Sequence, residues 1–176
     1  MPGCPRMRHV LLRVRQEAEM YKIGDKVVYP MHGAGTIEEI EEKKILGELR
    51  EYYVLNIPSV DMKIMIPVDN CDKIGVRDVI SKAEVETVMG VLGGETTPME
   101  SNWNRRYREN MEKLKTGDIL QVAEVVRNLM RSDRRKRLST GEKKMLTNAR
   151  QILISEIILA GDMDAESAEG LIEETV

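Results

Sequence analysis

Phenylalanine is absent from this 176-residue chain, tryptophan occurs once, and cysteine and histidine occur twice each. Each scarcity removes a class of function. Cys4 and Cys71 make no disulfide framework, and unpaired thiols without a secretory signal favour a reducing cytosol. Neither stands at ligand spacing from the other or from His9 or His32, so no metal site is expected. Triad chemistry would rest on His32 alone, the one histidine in the regularly patterned part of the chain. Gly33-Ala34-Gly35 lacks the third glycine and the following helix of a dinucleotide fingerprint, and no Gly-Lys-Ser/Thr phosphate loop occurs. Gly141-Glu142-Lys143-Lys144 lies inside a helix-capping pattern, and the acidic pairs Glu38-Glu39 and Glu41-Glu42 read as solvated strand ends. The expectation is a protein that is not an enzyme and carries no cofactor.

Long apolar runs are also missing, and none approaches the ~20 residues that cross a bilayer. Near the start, Val10-Leu11-Leu12 is too short for a secretory core, and no small-residue cleavage site follows it. Residues 1–19 therefore read as a flexible N-terminal extension or an upstream start-site choice, with a genuine helix as the alternative. A cytoplasmic protein is expected.

What the chain does have is charge, unevenly spread. The formal net charge of −3 conceals a block over 101–150 with 14 Lys/Arg against 6 Asp/Glu, a local balance of +8. Residues 20–100 carry 9 against 15, and residues 151–176 carry none against 7. A basic block inside an acidic chain is the electrostatic footprint of a nucleic-acid partner. A charged, solvated helix surface would look the same in composition.

Residues 21–68 read as β. Val27-Val28-Tyr29, Thr36 to Ile40, Arg50 to Ile57 and Met62 to Pro67 are strand-like runs separated by Gly-containing turns. Several short strands within about 50 residues cannot cover a face of an open sheet, so a small closed Tudor- or SH3-like barrel is the economical expectation. Beyond Asp69 the period becomes helical. Ser81-Lys82-Ala83-Glu84 and Ser139-Thr140-Gly141-Glu142 are capping boxes, and Asp118 and Asp164 can cap two further helices. Trp103, Tyr107, Met111 and Leu114 form a stripe on one helix face. The fold class expected is α+β: an extension over 1–19, a Tudor-like unit over 20–72 and a compact helical unit over 78–176.

Trp103 sits in Ser101-Asn102-Trp103-Asn104-Arg105-Arg106-Tyr107-Arg108, with three arginines within five residues of the indole. A flat apolar group among cations suits insertion at a base step while the cations hold the backbone. The same pattern also describes a core Trp at the start of an amphipathic helix whose arginines face water. On the residues alone both readings stand.

Five blocks, in order, carry a family resemblance. They are Val28-Tyr29-Pro30-Met31-His32-Gly33-Ala34-Gly35, Gly75-Val76-Arg77-Asp78, Asn102 to Tyr107, Val122 to Arg127, and Leu138 to Leu146. From about Tyr21 to Glu174 the chain resembles CarD/CdnL-type bacterial transcription regulators. The barrel alone also resembles the polymerase-interacting domain of the transcription-repair coupling factor. The resemblance implies a Tudor-like domain on the β subunit of bacterial RNA polymerase. It also implies a helical domain on promoter DNA at the upstream edge of the transcription bubble. Carried over, the wedge role falls on Trp103, with Arg105, Arg106, Arg108 and Lys143 on phosphates. Polymerase contact falls on Lys43, with Met65 where the family has a basic residue and Lys63, on the same strand face, as a substitute. The alternatives are an RNA- or ribosome-associated protein and a protein-interaction scaffold.

Overall fold

The computed structural model of the protein describes residues 21–176, so the expected extension over 1–19, with Cys4 and His9, lies outside the described residues. Five strands come first: β1 (Lys26–Tyr29), β2 (Gly33–Ile45), β3 (Glu48–Ile57), β4 (Met62–Pro67) and β5 (Arg77–Asp78). They form one sheet in the order β4-β3-β2-β1-β5, and every neighbouring pair is antiparallel. A closed barrel is not what the pairing gives. Among the described residues β4 pairs only with β3 and β5 only with β1, which leaves both as edges. Two features account for the difference. β2 and β3 are 13 and 10 residues long, a projecting hairpin in place of short staves. The segment that follows β4, including the short helix α1 (Cys71–Ile74), covers the inner face in place of a closing ladder.

Side-chain alternation sorts the sheet into two faces. Val27, Ile37, Tyr53, Leu55, Ile57 and Ile66 turn inward and pack with Cys71. A bulge between Ile37 and Glu39 shifts the register of β2 against β3 and bends the hairpin. Burial raises the Cys71 thiol to about 11, with Asp72 and Asp69 adding to the effect, so it is a packed neutral group and not a reactive one.

Five more helices follow: α2 (Lys82–Gly93), α3 (Trp103–Lys115), α4 (Ile119–Arg135), α5 (Thr140–Gly161) and α6 (Ala165–Thr175). Their starts fall where the capping chemistry puts them. Both capping boxes form, from Ser81 with Glu84 and from Ser139 with Glu142. Asp118 and Asp164 each accept a backbone N–H of the first turn. α4, through Ile119, Val122, Ala123, Val125, Val126, Leu129 and Met130, and α5, from Met145 to Ile157, supply the helical core in equal measure, while Leu120 points outward. The expected stripe on α3 divides: Leu114 is buried, Tyr107 and Met111 are half-buried, and Trp103 is exposed.

Sheet and helices meet along α5, and the first two sequence blocks build the joint. At one end of the outer sheet face, Val28 and Ala34 are buried. The Ala34 N–H donates to Ser155 Oγ over 2.8 Å. Gly33, at φ +115°, lies so close to α5 that a Cβ would come within 2.7 Å of that same oxygen. Arg77 grips the fully buried Glu156 through bonds of 2.6 and 2.9 Å and donates to the Gly117 carbonyl. Ile80 N–H donates to Glu156 as well. These residues of the connector turn it into a rigid corner.

Candidate nucleic-acid interface

Trp103 is the first residue of α3, and Asn102 caps that helix by accepting the Arg105 N–H. The indole is 41% exposed, which removes the core-Trp reading, yet it is fastened on three sides. Its Nε1–H donates to Ser139 Oγ over 2.8 Å. Tyr107, one turn along, stacks against one face with ring centroids 5.2 Å apart. The backbone of Gly141 passes under its edge, where a Cβ would stand 3.3 Å from Cζ2.

Ser139 is also the cap of α5, so the indole is tied to a helix start. Ser139 Oγ donates to Glu142 Oε2 and accepts the Glu142 N–H. Glu142 is buried and receives Arg106 Nε over 2.6 Å. Burial works to raise the Glu142 carboxyl, but the hydrogen bonds from Arg106 and Ser139 and the Arg106 charge hold it below the ordinary carboxylate range. Arg106 Nη1 donates to the carbonyls of Glu100 and Ser101.

The three arginines near the indole therefore have different surroundings. Arg106 is turned inward. Arg105 is exposed, with Glu100 at 4.0 Å. Arg108 and Lys143 have no ion-pair partner among the described residues, and the same is true of Lys144, Arg135, Lys136 and Arg137. The acidic end of the chain neutralises a different side. Glu173 on α6 pairs with Arg134 and Arg150, whose hydrogen bonds hold its carboxyl below the usual range against the opposing effect of burial. Exposed cations without ion-pair partners thus gather on Arg108, at the first turn of α5 and on the α4–α5 turn, while Arg134 and Arg150 are neutralised.

The residues expected to meet polymerase are brought together on the outer sheet face. Lys43 Nζ approaches Met65 Sδ at 3.2 Å and Glu41 at 3.8 Å. Lys63 pairs with Glu38 over 2.9 Å, and that contact with Asn56 holds the Glu38 carboxyl low against the opposing effect of its desolvation. The expected basic contacts are therefore largely neutralised. What sequence reasoning missed is the hairpin tip, where Leu46 is 100% and Leu49 71% exposed, with Ile45 beside them. Its signal was present in Ile45-Leu46-Gly47. A two-residue hairpin turn favours Asn-Gly, and here Leu46 adopts φ +52°.

A sheet joined rigidly to helices that present a clamped aromatic among free cations is the build of a binding protein. Among the described residues no group of His, Cys, Asp and Glu could hold a metal ion, and no helix is long and apolar enough to cross a membrane. Comparison with known proteins makes the class specific. Residues 21–80 match the family model described as CarD-like/TRCF RID domain, and residues 87–173 match that of CarD, C-terminal domain. The chain is 44% identical over 138 residues to a protein of Bacillus subtilis (strain 168) named "Putative transcription factor YdeB", covering 78% of this chain and 90% of that one. The chain belongs to the CarD family, as a CarD/CdnL-type transcription regulator.

Proposed function

We propose that this regulator binds the β subunit of bacterial RNA polymerase and stabilises the open promoter complex. Residues 20–72 are the polymerase-facing unit and 78–176 the DNA-facing unit. The observation that carries this reading is the indole of Trp103, exposed yet clamped by Ser139, Tyr107 and Gly141 within a field of unpaired cations. Clamping lowers the entropy cost of inserting the ring at a distorted minor-groove step. Its one donor is taken by Ser139, so the ring stacks without reading a base edge, as sequence-independent binding requires. Arg105, Arg108 and Lys143 hold phosphates. Arg106 acts through Glu142 as the residue that positions the clamp.

On the polymerase side, the apolar tip at Ile45, Leu46 and Leu49 supplies the grip, with Lys43, Lys63 and Met65 along the same hairpin and on edge strand β4. An unpaired edge strand offers main-chain pairing as well. Polymerase then delivers the wedge to the promoter at high local concentration. Only contacts stronger in the open than in the closed complex shift the balance, and ~1.4 kcal/mol shifts it about tenfold.

The test is promoter opening by a bacterial polymerase, read with a fluorescent base in the bubble. Wild type raises the open fraction or its lifetime, and Trp103→Ala, still folded and polymerase-bound, does not. No effect of wild type on several promoters would reject the reading.

A further inference from the structure

The cations of the basic stretch differ in what holds them. On α4, Arg127, Arg131 and Arg134 recur at i, i+4 and i+7, so they share one side of the helix. Neutral groups fix the first two. Arg127, 4% exposed, donates to the Val91 carbonyl, to Thr97 Oγ1 and to Asn128 Oδ1. Arg131 donates to the carbonyls of Gly94 and Val176 and to Thr96 Oγ1. Arg134 differs. Its partner is a carboxylate, Glu173 at 3.3 Å, and both side chains are half exposed.

Glu173 serves a second cation, receiving Arg150 Nη1 over 2.6 Å. Arg150 follows Lys143 at i+7 on α5, so the two stand on one side of that helix, ~10 Å apart along its axis. Arg134 opens the run Arg134-Arg135-Lys136-Arg137. Two rows of cations, one along α5 from Lys143 and one through the α4–α5 turn, thus meet the same carboxylate. On α6 itself, Glu166, Glu169 and Glu174 are exposed and have no ion-pair partner among the described residues. Glu173 is held in place by its helix. Ala168 and Ile172, both 0% exposed, seat α6 on the core, and the Arg131 bond to the Val176 carbonyl fastens its end.

Resting on the function proposed above, we infer that Glu173 sets the boundary of the DNA-binding surface. It keeps Arg134 and Arg150 from phosphate and confines the DNA backbone to the cations that have no carboxylate partner. An exposed ion pair stabilises the fold little, but a phosphate arriving at either arginine must displace Glu173 or lie beside its charge. Fewer phosphate contacts make the grip on DNA weaker and less steep in salt. A weak grip suits a protein that polymerase delivers. At the promoter the tether supplies the local concentration, and on bulk duplex nothing replaces it.

The test uses the full chain without polymerase and a labelled blunt duplex, titrated by fluorescence anisotropy at several salt concentrations. Glu173→Gln keeps the side-chain volume and a carbonyl acceptor and removes the charge. Its log–log salt slope steepens by about 1.8, ~0.9 for each released arginine. Its gain in affinity over wild type is therefore about tenfold larger at about 50 mM salt than at about 200 mM. Glu169→Gln removes the same charge from the same helix without freeing a cation, and its slope stays that of wild type. Arg134→Ala/Arg150→Ala also keeps the wild-type slope, because neither arginine holds phosphate while Glu173 is present, and adding Glu173→Gln to that pair changes nothing. A wild-type slope for Glu173→Gln, with the fold intact by circular dichroism, overturns the inference and leaves the proposed function standing. Equal steepening by Glu169→Gln overturns it as well, since net charge would then account for the effect. A flatter slope for Arg134→Ala/Arg150→Ala overturns it independently of either glutamate variant. No binding of duplex by wild type and Glu173→Gln alike would reject the proposed function itself.

Discussion

The hairpin tip and the Trp103 face are both exposed, and they expose opposite things. At the tip the charges are largely cancelled, Lys63 by Glu38 and Lys43 in part by Glu41, and what is left over is aliphatic surface on Leu46 and Leu49. Around Trp103, Arg106 is internally paired and Arg105 meets Glu100 only at 4.0 Å, while Arg108 and Lys143 have no partner among the described residues, and what is left over is positive charge. A protein that must hold a protein with one end and a polyanion with the other gains from this separation. Salt weakens the second grip steeply and the first hardly at all.

The largest expected break severs the two ends from each other. Glu156→Ala leaves the Arg77 guanidinium and the Ile80 N–H at the corner without their acceptor, and about 3–5 kcal/mol of stability is lost in denaturant unfolding. Next comes the contrast between neighbouring arginines. Arg106→Ala strands a buried Glu142 and costs about 3 kcal/mol, without changing the number of phosphates held. Arg108→Ala leaves stability within about 0.5 kcal/mol and flattens the salt dependence of DNA binding by about one phosphate equivalent. The pair is read by unfolding and by titrations at several salt concentrations. Equal salt slopes for the two variants would contradict the different roles given to them.

Smaller again is Trp103→Ala. A half-exposed ring costs about 1–2 kcal/mol on removal, against about 3–5 for a core Trp. At the other end, Leu46→Asn suits the left-handed turn and raises stability by up to about 1 kcal/mol. The same change weakens polymerase binding in a pull-down and leaves DNA affinity alone. The smallest effect is set by pH. The folded Glu142 carboxyl lies below its unfolded value of about 4.5, so its contribution is complete above that value and fades as pH falls through the folded one. Trp103 emission changes over that acid window, and Glu142→Gln removes the dependence.

Local chemistry was legible in the sequence to the residue. The capping boxes at Ser81 and Ser139 and the caps at Asp118 and Asp164 stand where read, because a cap needs only the next three residues. The runs Val27 to Tyr29, Arg50 to Ile57 and Met62 to Pro67 fall within β1, β3 and β4. What could not be read depends on distant partners. Arg105, Arg106 and Arg108 are equivalent until Glu142, 36 residues beyond Arg106, selects the middle one. Ser139 was legible as a helix cap but not as the acceptor for an indole 36 residues earlier. Barrel closure is not shown by the strand pairing, because that expectation counted strands, while residues 68–76 pack on the inner face. Met31 to Gly35 read as a loop after a strand end, and only the packing against Ser155 reveals that stretch as half of a joint.

Helix α5 gives the molecule a mechanical character. Near its first turn Gly141 lies under the Trp103 indole, and at Ser155 it is bonded to the sheet. Fourteen residues of helix at ~1.5 Å each make a strut of about 21 Å with both ends pinned. Such a strut sets a distance and a rotation together, since each added residue would also turn one end by about 100°. The molecule is therefore a caliper: whatever holds its sheet has already chosen the position and azimuth at which the Trp103 indole is presented.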